Sequence, residues 1–217
     1  MTAGPPFTVA IAGVATDAGK TWVAAALLAQ LRSMGHLVSA RKPVQSFEGG
    51  KTTTDAHLLG VATGEDPTTV CPAHRWYPLA MAPPIAAQRL GLAPIALHDL
   101  LGELNWRGDA EIAVVETVGG VRSPMADDAD SATFLHALAP DHVVLVADAG
   151  LGAINAVRLC ADALSPLTIT VMLNRFDSGD AVHETNREWL AVRDGLSVAI
   201  SVGECVSAVL RHSHRGC

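Results

Sequence analysis

Gly13-Val14-Ala15-Thr16-Asp17-Ala18-Gly19-Lys20-Thr21 fits the pattern G-x-x-x-x-G-K-[ST] at every fixed position. An apolar run, Phe7 to Ala12, leads into it, and an alanine-rich stretch of helical character, Trp22 to Leu31, follows. Strand, glycine loop and helix in that order form a cradle for phosphate. The glycines let the backbone curl so that successive N–H groups face phosphate oxygens, and the helix N-terminus adds the positive end of its dipole. In such a cradle Lys20 reaches the β- and γ-phosphates, and the Thr21 hydroxyl is a ligand for Mg²⁺. Asp17, Ala18, Gly19, Lys20, Thr21 and Trp22 are therefore expected to line a nucleoside triphosphate site.

Further short apolar runs follow at Leu37–Ala40, Ile112–Glu116, His142–Ala147, Thr168–Leu173 and Ser197–Ile200. Several are continuous rather than alternating, as in strands buried on both faces. Between them lie segments of helical length and pattern: Thr21–Ser33, Thr54–Thr63, Ile85–Leu90, Ala96–Asn105, Asn155–Leu164 and Val182–Leu190. This alternation predicts an α/β, three-layer P-loop NTPase-type fold with a mostly parallel sheet and helices on both faces. No repeat or flexible linker divides the chain, so one domain is expected over residues 1–217, with 211–217 a frayed tail.

The composition narrows the class. Of 217 residues, 49% are hydrophobic, 17% charged and only 4% aromatic, so the chain is globular with an aliphatic core. The net charge of −7, without any basic cluster, argues against a nucleic-acid partner. No apolar stretch has the length of a membrane span. Met1 to Pro6 lacks the basic region of a signal peptide. Cys71, Cys160, Cys205 and Cys217 have neither C-x-x-C nor zinc spacing and read as reduced thiols of a cytoplasmic enzyme.

In a parallel α/β sheet, ligands bind at the carboxyl ends of the strands, and polar loops follow the runs there. Lys42 is an isolated cation at the end of one run, followed by Pro43, and suits a ligand-facing role opposite Lys20. Ser46 could donate a hydrogen bond into the same space. Glu116 ends another run, where a carboxylate can reach a Mg²⁺ held by Thr21, although a solvated strand end is the simpler alternative. Asp55 suits either a metal or a helix start, which favours an acid through the dipole alone. The nine histidines show no zinc-like pairing.

With these loops in hand, the chain resembles the dethiobiotin synthetase family along nearly its whole length. Lys42-Pro43-Val44-Gln45-Ser46 matches the family's K-P-[VI]-x-[ST]-G up to Phe47, which replaces the glycine. Asp55-Ala56 matches its D-[AS], and Pro78 to Ala87 resembles its P-x-[AS]-P-x-x-[AS]-A. Val115-Glu116-Thr117-Val118-Gly119-Gly120 is similar to V-E-G-A-G-G, and Leu151-Gly152-Ala153-Ile154-Asn155 has its L-G-x-[IL]-N. The resemblance implies a C–N bond-forming ligase: ATP and CO₂ close a ureido ring on 7,8-diaminopelargonic acid, through a carbamate and a carbamic–phosphoric anhydride, in biotin biosynthesis. It implies Lys42, Lys20 and Thr16 as catalytic, with Mg²⁺ on Thr21, Asp55 and Glu116. Nucleotide contacts extend to Gly119, Asn174 and Arg175. Substrate contacts are Thr16, Lys42, Ser46 and Gly119, plus Leu151, Gly152 and Asn155 from the other subunit of a homodimer.

Some residues depart from the family. Thr117 and Val118 replace Gly-Ala, setting a β-branched side chain where backbone normally approaches ligand. Asn174-Arg175-Phe176-Asp177 is close to the N-K-x-D by which G proteins read guanine, and the last strand lacks the family's proline, so base preference stays open. Two alternatives follow: a paralogue acting on another diamine, or a P-loop GTPase-type switch.

Overall fold

The computed structural model describes residues 5–213. Its central sheet has six strands, all parallel, in the order β2-β5-β1-β6-β7-β8. They are β1 (Phe7–Gly13), β2 (Val38–Arg41), β5 (Ile112–Glu116), β6 (His142–Asp148), β7 (Ile169–Asn174) and β8 (Ser197–Ala199). A separate two-stranded parallel ribbon, β3 (Gln45–Ser46) and β4 (Trp76–Tyr77), lies outside it. Strand period 2 sends Val9 and Ile11 to one face and Ala10 and Ala12 to the other, and all four are fully buried.

Each face has its own core. Val9 and Ile11 pack with Val23, Leu27 and Leu31 of α1 (Lys20–Ser33), Leu59 of α2 (Asp55–Thr63) and Val206 of the C-terminal helix. Between α2 and β4 lies the short α3 (Pro67–Val70). The other face carries α4 (Pro83–Arg89), α5 (Leu97–Gly102), α6 (Ser131–Leu138) and α7 (Ala153–Leu164), with Phe134, Leu135 and Val157 among its buried side chains. The crossover from β7 to β8 uses α8 (Ala181–Glu188), and α9 (Val202–Ser213) follows β8. Among the described residues, no helix is long and apolar enough to cross a membrane.

Several sequence-based boundaries shift by one to three residues, and the strand expected over Ser197–Ile200 stops at Ala199. The sequence reading put no helix between Asn105 and His142, yet α6 supplies that crossover. Asp130 starts it by accepting hydrogen bonds from the Thr133 backbone and hydroxyl, both at 2.7 Å. The expected frayed tail is a correction too. Arg211, His212 and Ser213 continue α9, and the His212 ring stacks on buried His142 with centroids 4.4 Å apart. The rest of that tail, residues 214–217 with Cys217, lies outside the described residues. Cys71, Cys160 and Cys205 are free thiols.

Candidate active site

The chain leaves β1, runs out to β2, returns through β5 beside β1, and only then crosses to β6. The carboxyl ends of β1, β2 and β5 therefore meet at the point where the strand order reverses, the usual site for a ligand in an open α/β sheet. Gly13 ends β1, and a Cβ there would come within 2.9 Å of the Lys20 stem. Gly19 sits at φ +95° just before α1, and a Cβ there would lie 2.1 Å from the Asn174 amide. Gly19 is thereby required to be glycine, whereas a side chain at position 13 would force the Lys20 stem to shift. Lys20 opens α1 and donates to the Ala15 carbonyl at 3.1 Å. Burial, with the neighbouring Lys42 ammonium, lowers its pKa to about 8.

A cavity of about 710 Å³ opens beside this loop. Thr16, Asp17, Gly19, Lys20, Thr21 and Trp22 form one part of its wall, Lys42, Gln45, Ser46 and Phe47 another, and Asp55, Glu116, Val118, Gly119 and Ser123 the rest. At its floor four side chains join into one cluster. The Lys42 ammonium lies 2.6 Å from Glu116 Oε1 and 3.0 Å from Asp55 Oδ2, and donates to the Thr117 carbonyl at 3.1 Å. The Thr21 hydroxyl donates to the same Glu116 oxygen at 2.8 Å. Burial pushes the Lys42 ammonium towards neutrality, but Glu116 and Asp55 outweigh it and hold its pKa above the ordinary range. Burial raises the Glu116 carboxyl, with Lys42 opposing the rise, whereas Lys42 lowers the pKa of the more open Asp55.

These residues fit a divalent cation. Glu116 Oε2 is buried without a partner, next to a second carboxylate and a hydroxyl, which are hard oxygen donors of the kind Mg²⁺ takes. Asp55 also serves as a helix start, as the first residue of α2 after a Thr54 capping box with His57.

Two expectations change in detail. Thr117 does not crowd the ligand space: it is fully buried, and its hydroxyl donates to the Ile11 carbonyl at 3.2 Å. Ser46 lines the cavity, but its hydroxyl is already donated to the Met81 carbonyl at 2.5 Å. Leu151, Gly152 and Asn155 are not brought into the cavity of their own chain: they sit at the start of α7, with Leu151 98% exposed.

Asn174 and Arg175 stand behind the phosphate loop rather than in the cavity. The Asn174 amide donates to the Ala18 carbonyl at 2.9 Å, and Arg175 reaches the Asp17 carbonyl at 3.0 Å and the Asp148 carboxylate at 2.9 Å. Asp177, the residue that would read guanine in a G protein, accepts from Gly179 N–H at 2.8 Å within its own turn. Two residues escaped the sequence reading. Ser123 accepts from Gly120 N–H at 2.8 Å and braces the loop after β5. Gln45 is buried at the cavity wall, and only the unspecified position of the K-P-V-x-S stretch marked it.

A family model described as an AAA domain matches residues 8–187. The ATP-dependent dethiobiotin synthetase BioD of Haloferax mediterranei is 33% identical over 196 residues, covering 87% of this chain and 81% of that protein. The chain belongs to the dethiobiotin synthetase family. That family comprises ATP-dependent ligases that form C–N bonds. The BioD proteins of Xanthomonas campestris pv. campestris 8004 and Xylella fastidiosa 9a5c are 36% and 37% identical, each match covering 71% of this chain and 70% of the relative. Among solved structures, a plasmid partition protein from Borrelia burgdorferi B31 bound to AMPPNP superposes with a TM-score of 0.59 at 16% identity, covering 99% of this chain and 100% of that one. Chloroplast FtsY from Physcomitrella patens reaches 0.52 at 16% identity, covering 95% of this chain and 66% of that one. At such identities the likeness is one of fold.

Proposed function

We propose that this chain catalyses the ATP-dependent closure of a ureido ring on 7,8-diaminopelargonic acid with CO₂, giving dethiobiotin, ADP and phosphate. The observation that carries this reading, within the family, is the convergence of Lys20 and Lys42 on one cavity with the carboxylates of Asp55 and Glu116. A reaction that joins two anions, a carbamate and a triphosphate, needs fixed cations where their charges meet. Two lysines from different strand ends meet that need, one on the phosphate loop and one after β2.

In this scheme one amine of the substrate adds CO₂ and becomes a carbamate. Its oxygen attacks the γ-phosphorus, ADP leaves, and the second amine displaces phosphate from the resulting anhydride. Lys20 and the loop amides hold the triphosphate, while Lys42 and Thr16 orient the carbamate. The chain's work is positioning and charge stabilisation, as in phosphoryl transfer generally. Thr21, Asp55 and Glu116 would hold Mg²⁺, whose charge neutralises the phosphates when it is bound.

The remote carboxylate of the substrate is assigned to Leu151, Gly152 and Asn155 of a second subunit. What supports this is their exposure: Leu151 and, on the adjoining helix, Leu159 leave apolar side chains uncovered, 98% and 63% exposed. The base is assigned to the region of Asn174 and Arg175. The Asn174 amide is oriented by Ala18, which leaves its carbonyl free to accept from an exocyclic amine such as adenine's.

Phosphate release with diaminopelargonic acid, bicarbonate and Mg²⁺, in separate reactions with ATP, GTP and CTP, tests the reading. Release that needs both diamine and bicarbonate is the expected result. Release indifferent to the diamine would replace it with a nucleotide-hydrolysing switch, and release only with another diamine would make the chain a paralogue.

A further inference from the structure

Gln45 carries a donor that nothing in the cluster uses. It lies in β3, three residues after Lys42, 1% exposed and at the cavity wall. Its side-chain carbonyl accepts the Ala56 backbone N–H at 3.2 Å, in the first turn of α2 beside Asp55. A backbone N–H can meet only the oxygen of an amide, so this bond fixes which end is which. The NH₂ end is then the other one, and it has no partner. Native structures seldom bury a polar group this way, because a donor removed from water without an acceptor is unfavourable.

The neighbouring donors on the same segment are all engaged. The Lys42 ammonium has three N–H groups and meets three acceptors, in Glu116, Asp55 and the Thr117 carbonyl. The Ser46 hydroxyl is donated to Met81. Among the described residues that line this cavity, Gln45 Nε2 is the only buried side-chain donor left unpaired. Phosphates are provided for elsewhere, by the loop amides, the dipole of α1 and Lys20.

We infer that Gln45 is a specificity-determining residue whose NH₂ donates to an oxygen of the CO₂-derived carboxyl group on the non-nucleotide substrate. This rests on the ring-closing reading. A neutral donor suits that oxygen, because it binds the carboxyl group without adding charge to a floor that already holds two lysines and two carboxylates. The same amide ties the β3 segment to the turn that carries Asp55, so binding at Gln45 is registered against Lys42.

Two substitutions separate the donor from the tie. Gln45→Glu keeps an oxygen for the Ala56 N–H and removes the NH₂, whereas Gln45→Met keeps the bulk and removes both. Each is compared with wild type for kcat/KM in diamine and bicarbonate, and for AMPPNP affinity by calorimetry. If the donor binds the carboxyl group, both variants lose about 10- to 100-fold in kcat/KM while AMPPNP affinity stays within about two-fold. Wild-type kcat/KM in Gln45→Glu would overturn the inference and leave the tie to Ala56 as the residue's role. A parallel loss of AMPPNP affinity in both variants would overturn it too, since the effect would then run through Asp55. Wild-type protein that releases no phosphate with the diamine would remove the ring-closing reading and this inference together, whereas the other two failures leave that reading intact.

Discussion

Replacing Lys42 by Met tests the charge cluster directly, because the variant keeps most of the stem and loses only the ammonium. Glu116 is fully buried 2.6 Å from that ammonium, so the gross attraction is about 6 kcal/mol at an effective dielectric of about 20. The net loss is smaller, because the stranded Glu116 can take up a proton instead. From an ordinary carboxyl pKa of about 4.3, neutralising it at pH 7 costs about 3.7 kcal/mol, which caps this part of the loss. At pH 5 the cap falls to about 1 kcal/mol. The sign follows from burial, which raises the folded pKa of Glu116 above its unfolded value. Such a group stabilises the fold below the unfolded pKa, and that contribution is lost as pH rises through the folded pKa. The variant should therefore be weakest at high pH. In the wild type, Asp55 has a pKa lowered by Lys42 and loses its contribution only as pH falls below the ordinary carboxylate range, so it leaves the gap between pH 5 and pH 8.5 unaltered. For a chain of this size the deficit corresponds to a Tm lower by about 7–15 °C at pH 7 and by about 2–4 °C at pH 5. Thermal melts from pH 5 to pH 8.5 measure it, and adding Glu116→Gln to Lys42→Met should recover most of the loss. A deficit that does not vary with pH, or that Glu116→Gln leaves in place, would refute the reasoning.

Three further outcomes follow from other residues. Lys20, with its pKa lowered to about 8, is half neutral at pH 8, and a triphosphate against it should draw in about half a proton. Calorimetry of AMPPNP binding in buffers of different ionisation enthalpy reads that uptake, and zero uptake at pH 8 would contradict it. Asn155→Ala should raise the KM for the diamine about 10-fold or more with AMPPNP affinity unchanged, since it is assigned to a remote carboxylate; an unchanged KM would remove the cross-subunit tail site. His142 is buried, with burial and the facing His212 and Arg211 lowering its pKa to about 4. A depressed pKa contributes stability above the unfolded value near 6.5 that is lost as pH falls through the folded one, a swing of roughly 3 kcal/mol. His142→Gln should flatten the fall in Tm between pH 6.5 and pH 4, and an unaltered profile would assign that fall to other groups.

The phosphate loop was legible because its constraints are local. Gly13 faces the Lys20 stem of the same loop and Gly19 takes a positive φ, and the adjoining strand and helix have strong patterns of their own. The missed elements lacked that local signature. The helix α6 is eight residues long and held by an Asp130 cap and by packing of Phe134 and Leu135, so tertiary burial decides it more than propensity does. The helix α9 buries Val206 and Val209, yet its end reads as basic and polar because Arg211 and His212 follow the last core contacts. Thr117 misled for a related reason. Its residue type is visible in the sequence, but the direction of its side chain depends on the Ile11 carbonyl of the neighbouring strand.

The charged floor needed topology most of all. Glu116 is 95 residues from Thr21 and 74 from Lys42, and no spacing rule relates them. Their meeting follows from strand order. With β5 between β2 and β1, Ile11 pairs with Glu116 on one side and Arg41 with Val115 on the other. A carboxylate at the end of β5 is then within reach both of the loop that leaves β1 and of the residue that follows β2. If β5 were exchanged with either neighbour, Glu116 could reach one of these partners and not the other. One parallel register thus sets Thr21, Lys42 and the triphosphate loop around a single buried oxygen. That is why this floor can bring a lysine and two carboxylates together at one point.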